Sequence, residues 1–266
     1  MSLLVRRAAR WPAWLAPLSL VWSVAIQAQL GAPPLPPPAN PRLDAPQDLT
    51  GYWVSLVTED WQYRMLTPEK GDFTGVPLNA AGRRVMAAWD PAKDEPNGEQ
   101  CKSYGAAAIM RVPTRLHITW EGDNVLKVET DAGTQTRLFH FGGTPPQPAQ
   151  PSLQGFSVAS WEGGRQRGIG GVTAVLGAKP TPEGYLKVET RQLTPGYLRK
   201  NGVPYGAGTQ VEEYFESFKE PGGDGWLVVT SIVTDPEYLV QMFITSSNFK
   251  KLPGPVGWKP RPCEAK

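Results

Sequence analysis

The sequence predicts an all-β domain: an antiparallel β-barrel, closed or nearly closed, with one short helix; a two-layer β-sandwich is the alternative. Three observations lead there. Short segments with strict polar/apolar alternation recur from residue 115 almost to the end, which is the period of a half-buried strand. They number about nine or ten, are joined by short turn-rich connections and leave room for one helix. A sheet of that size either curls closed or splits into two layers.

Residues 1–28 read as a secretory signal. Arg6, Arg7 and Arg10 form a basic start, and the apolar run from Trp14 to Ile26 is too short and Pro-interrupted to span a bilayer. Cleavage after Ala25 or Ala28 satisfies the small-residue requirement, and Ala8-Ala9-Arg10 offers no apolar pair behind the two arginines, so ordinary export is favoured over a twin-arginine route. Residues 29–45 are a Pro-rich linker of extended polyproline character. Residues 46–266 form a single domain. The expected location is the bacterial periplasm or exterior, with no stable membrane insertion after signal cleavage.

Of the 27 basic residues three lie in the leader, so the rest of the chain carries one positive charge fewer than its 25 acids. A near-neutral surface without runs of like charge gives no basis for binding nucleic acid or anionic membrane. The two cysteines of an exported chain can form one intramolecular bridge, Cys101 to Cys263. By chain entropy that bridge contributes roughly 4–5 kcal/mol at most. A nucleophilic Cys101 is the competing reading, but no His or basic cluster stands near it in sequence. No metal site is expected from so few Cys and His.

In chain order, Asp48 to Val54 opens the first strand. Asp60 to Leu66, rich in aromatic residues, reads as extended. Pro77 to Trp89 is the helix, capped by Asn79 and ended by Asp90-Pro91. The stretch from Asp94 to Ser103 is a polar loop bringing Cys101 to the body. Arg115–Trp120 and Leu126–Asp131 are strands around a turn. A five-residue loop sets His117 opposite Glu129 and Arg115 opposite Asp131; a three-residue loop sets Arg115 opposite Glu129. Further strands are expected at 134–141, 154–161, 171–176, 185–190 and 210–218. A final pair, 226–234 and 238–246, is joined by a tight Asp235-Pro236 turn, and 195–208 is a loop. Leu-Lys-Val-Glu-Thr occurs at 126–130 and again at 186–190, which equivalent strand environments explain as well as duplication does.

No Gly-rich phosphate loop, Gly-x-Ser-x-Gly elbow or His-Glu-x-x-His helix is present, so no cofactor is implied. His117 and His140 are the side chains suited to proton transfer near neutral pH. Glu213 shares a face with Val211 and Phe215, so it is the carboxylate to look at first for burial. His117, His140, Glu213 and Glu129 are the candidate catalytic residues. Trp61, Trp161, Tyr205, Tyr214 and Arg137 are the candidates for binding a ligand.

Asp48-Leu49-Thr50-Gly51-Tyr52-Trp53, Ser160-Trp161-Glu162-Gly163, Leu186–Thr190 and Asp235-Pro236-Glu237-Tyr238 resemble an uncharacterised family of exported β-rich proteins from environmental bacteria. The resemblance covers most of the chain after the leader and brings no activity with it. Gly51-Tyr52-Trp53 is also similar to the Gly-x-Trp start of lipocalins, which implies a closed barrel with a hydrophobic cavity. The expected function is binding of a small, largely apolar or aromatic molecule in that cavity. The alternative is a cofactor-independent isomerase, cyclase, lyase or hydrolase using interior His and Glu as acid and base.

Overall fold

The computed structural model describes residues 40–163 and 184–265. Nine strands close into a barrel: β1 (Gly51–Leu56), β2 (Arg115–Glu121), β3 (Val125–Thr130), β4 (Thr136–Phe141), β5 (Phe156–Gly163), β6 (Gly184–Arg191), β9 (Gln210–Lys219), β10 (Gly225–Thr234) and β11 (Phe243–Leu252). Around the barrel their order is β1-β11-β10-β9-β6-β5-β4-β3-β2. A separate hairpin, β7 (Gly196–Arg199) with β8 (Val203–Tyr205), lies in the stretch expected to be a loop.

The barrel is mixed rather than wholly antiparallel, because β4 and β5 run parallel over three residue pairs. The connection 142–155 returns the chain to the end from which β4 started. The β2–β3 hairpin takes the register of the first alternative: His117 faces Glu129, with Glu121 opposite Val125. The last strand starts later than its sequence suggests, at Phe243, and Asp235–Met242 forms a longer connection in place of a tight turn. The strand expected at 171–176 lies outside the described residues.

Alternation fills the barrel. Leu116, Ile118, Val128, Phe139, Leu186, Val188, Leu227, Val229 and Phe249 are all at 0% exposure, so no space the size of a water adjoins them. Among the described residues, then, the interior is a packed core at these positions rather than a ligand cavity. Trp53 belongs to this core. Its Nε1 donates to the Leu49 carbonyl at 2.9 Å and Lys251 lies over its ring at 4.2 Å, bracing one barrel end.

The other end is covered. Strands β1, β6 and β10 finish there, and the long segments that follow them fold over the opening. These are α1 (Trp61–Arg64), α2 (Ala80–Ala88), α3 (Pro91–Asp94), two 3-10 turns (Lys102–Tyr104 and Ile109–Arg111) and the β7–β8 hairpin. A second apolar cluster binds this cover to the strand ends, with Leu78, Met86, Leu198, Val203 and Tyr205 against Val211, Val233 and Phe243. In α2 the Asn79 side chain caps by accepting from the Gly82 N–H at 2.9 Å, as its sequence predicts. The segment expected to be extended at 60–66 instead contains α1. Asp60 adopts a left-handed φ of 52° and its carbonyl accepts from the N–H of Tyr63 and Arg64, which starts the turn.

After β11 the chain passes back along the outer wall of β1–β3. The Val256 carbonyl accepts from Arg115, Trp258 packs edge-on to Tyr52 and His117, and the Arg261 N–H donates to the Asp131 carbonyl. The Cys101–Cys263 disulfide then fastens this tail to the cover.

Candidate functional site

The residues singled out in the sequence fall on two sides of the barrel wall. His117 lies between Leu116 and Ile118, whose side chains point inward, so its ring points outward. There it stacks on Tyr52 with centroids 4.1 Å apart, and its Nδ1 is 3.2 Å from Glu129. His140, between inward Phe139 and Phe141, also faces out, stacked on Phe156 at 4.7 Å; partial burial pushes its pKa down. Tyr214 is outside as well and donates to Glu212, and the Tyr214 hydroxyl is held up to about 12 by that carboxylate.

Glu213 is inside and fully buried, with Arg137 fully buried against it. The guanidinium donates through Nη1 to Oε1 at 2.9 Å and through Nη2 to Oε2, while Nη2 also reaches Thr190 Oγ1 at 3.2 Å. The structure therefore joins His117 with Glu129 and Arg137 with Glu213 but brings neither histidine to the buried carboxylate. The interior acid/base group expected for an enzyme is not assembled. Trp161 is partly buried at the Trp53 end, where its Nε1 donates to the Pro41 carbonyl at 2.8 Å. Tyr205 is buried in the cover with no hydrogen-bond partner for its hydroxyl among the described residues, and burial pushes its pKa up.

The most unusual electrostatic feature is in the cover. Arg64 from α1, Arg111 from the second 3-10 turn and Arg199 from β7 are each buried, and all three line one cavity of about 40 Å³ together with Tyr63, Ser103 and Lys200. Burying a charge is costly unless it is paired. Arg64 is paired with Glu59 at 3.0 Å and donates through Nε to the Arg111 carbonyl; Arg111 is paired with Asp60 at 3.1 Å. Arg199, only 5% exposed, has its guanidinium over the Tyr63 ring at 4.5 Å and makes no ion pair among the described residues. Its Nε and Nη1, and Nη2 of Arg64, have no hydrogen-bond partner there.

Burial, then repulsion from Arg111, lowers the pKa of both Arg64 and Arg199. A guanidinium still keeps its proton in such a setting. The result is a small cluster of cations around a cavity that would admit about three waters, or one carboxylate or phosphate group.

Sequence reasoning missed all three arginines. Arg64 was hidden by reading 60–66 as extended and Arg199 by reading 195–208 as a loop. Arg111 did leave a signal: it ends the apolar run Ala106-Ala107-Ala108-Ile109-Met110, where a lone cation needs a partner. Among the described residues no group of three or more His, Cys, Asp or Glu is arranged to hold a metal. No family model, curated protein or solved structure matches this chain.

Proposed function

We propose that this is an exported small-molecule-binding protein whose ligand docks an anionic group against Arg64, Arg111 and Arg199 in the cover of the barrel. The observation that carries the reading is the gathering of three buried arginines around one cavity, with Arg199 making no ion pair among the described residues. An anion there offsets the mutual repulsion of the three cations. The packed interior favours the cover over the barrel lumen as the ligand's place. The apolar leader and the Cys101–Cys263 bridge support export, since disulfides persist in oxidising compartments.

The test is calorimetric titration of the intact protein with orthophosphate and with acetate at constant ionic strength. One saturable site is expected. Arg199→Gln weakens it by about 10- to 100-fold, the worth of a charge-assisted hydrogen bond, whereas Arg84→Gln on exposed α2 does not. Heats that never saturate, or an Arg199→Gln protein that is folded by circular dichroism and binds as tightly as the parent, refute the proposal.

A further inference from the structure

The arginine cavity adjoins a groove with one apolar wall. We infer that the ligand is a single-chain anionic amphiphile, with its carboxylate or phosphate head among the arginines and its hydrocarbon tail along that groove; this rests on the anion reading above. The groove has a volume of about 430 Å³, within the range of small-molecule sites. Val54, Leu56, Val57, Met65 and Pro113 supply its apolar wall. The facing wall is polar, with Arg115 paired to Asp131 and Arg261 beside them. The groove lies next to the arginine cavity: Pro113 lines both, and the adjacent residues Met65 and Leu66, and Val112 and Thr114, line one each.

The apolar surface at this junction is otherwise unexplained. Trp61, Met65 and Leu66 are 61%, 58% and 68% exposed, and the Met65 N–H donates to the Trp61 carbonyl, so Trp61 and Met65 stand on one face of the same turn. Large apolar side chains left in water beside a cluster of buried cations form one amphipathic surface, complementary to a molecule with one charge and one tail. A purely apolar ligand leaves the arginines unanswered. A purely inorganic anion leaves the groove and the Trp61–Leu66 ledge without use.

The discriminating experiment titrates the intact protein with decanoate, acetate, orthophosphate and decanol, keeping decanoate below its micelle threshold. In parallel the protein is sedimented with phosphatidylglycerol vesicles. Burial of a methylene is worth about fourfold in affinity, and a tail covered on one side gains about half of that free energy, or twofold per methylene. Decanoate is therefore expected to bind at least about 100-fold more tightly than acetate. Trp61→Ser combined with Met65→Ser reduces that ratio by at least about tenfold, and Arg199→Gln weakens decanoate and acetate alike.

Equal affinity for decanoate and acetate overturns the amphiphile and leaves the anion reading standing. Decanol binding as tightly as decanoate also overturns it, because the charged head would then be irrelevant. Failure of phosphate, acetate and decanoate together removes the anion reading itself. Sedimentation with vesicles without binding of free decanoate makes the occupant a membrane surface and refutes the single-chain ligand.

Discussion

Replacing Glu213 by Gln should destabilise the barrel by about 3–5 kcal/mol, because it leaves the Arg137 guanidinium charged, buried and unpaired. Both side chains are at 0% exposure, so no water can take over the two hydrogen bonds that the carboxylate provides. The surroundings offer little compensation: Thr190 Oγ1 already accepts from Nη2, and Arg137 Nε has no partner among the described residues. The pair also has a topological role. Arg137 is on β4 and Glu213 on β9, with β5 and β6 between them, so it spans the parallel β4–β5 junction, which has only three residue pairs. By contrast, Arg137→Met with Glu213→Leu removes both charges together and is expected to cost at least about 2 kcal/mol less than Glu213→Gln alone. Ser157 and Thr190 can still satisfy each other at 2.7 Å. Urea unfolding followed by tryptophan fluorescence, with the disulfide intact, gives each stability from the midpoint and slope. If the double variant loses as much as the two single variants combined, the residues are not coupled and the reasoning fails.

Two further outcomes can be checked. Burial lowers the pKa of His140, so as pH falls from the usual 6.5 the unfolded chain is protonated first and stability declines until the folded pKa is passed. In proton NMR one of the two histidines should titrate below 6.5 and vanish in His140→Phe; titration at or above 6.5 contradicts this. Reduction of Cys101–Cys263 opens a loop of sequence separation 162. It should lower stability by up to roughly 5 kcal/mol and free the tail that carries Trp258 from His117, which an unchanged urea midpoint in dithiothreitol would disprove.

The strands were legible where one face alone is buried. Arg115–Trp120 and Leu126–Asp131 alternate strictly, and a register slip of one residue would have turned Ile118 outward, so pattern set which faces meet, while the choice between the five- and three-residue loops came only from the structure. The Asn79 cap was legible because its chemistry is local. The alternation also placed Glu213 on an apolar face with Val211 and Phe215, but its partner Arg137 is 76 residues away and no local rule connects the two. The aromatic content of 60–66 suggested an extended segment; the turn at Asp60 and the ion pairs of Arg64 and Arg111 with Glu59 and Asp60 made it a helical turn.

By itself the sequence determined the all-β class, most of the strand positions, the β2–β3 face pattern and the cysteines available for a bridge, because these depend on period and composition. Tertiary structure alone decided the parallel β4–β5 junction, the packed interior, the outward place of both histidines relative to Glu213, and the gathering of Arg64, Arg111 and Arg199. Each of those depends on how distant segments meet as the barrel closes and its cover folds over one end. Alternation says that a side chain faces one side or the other; only closure decides which distant charges share that side.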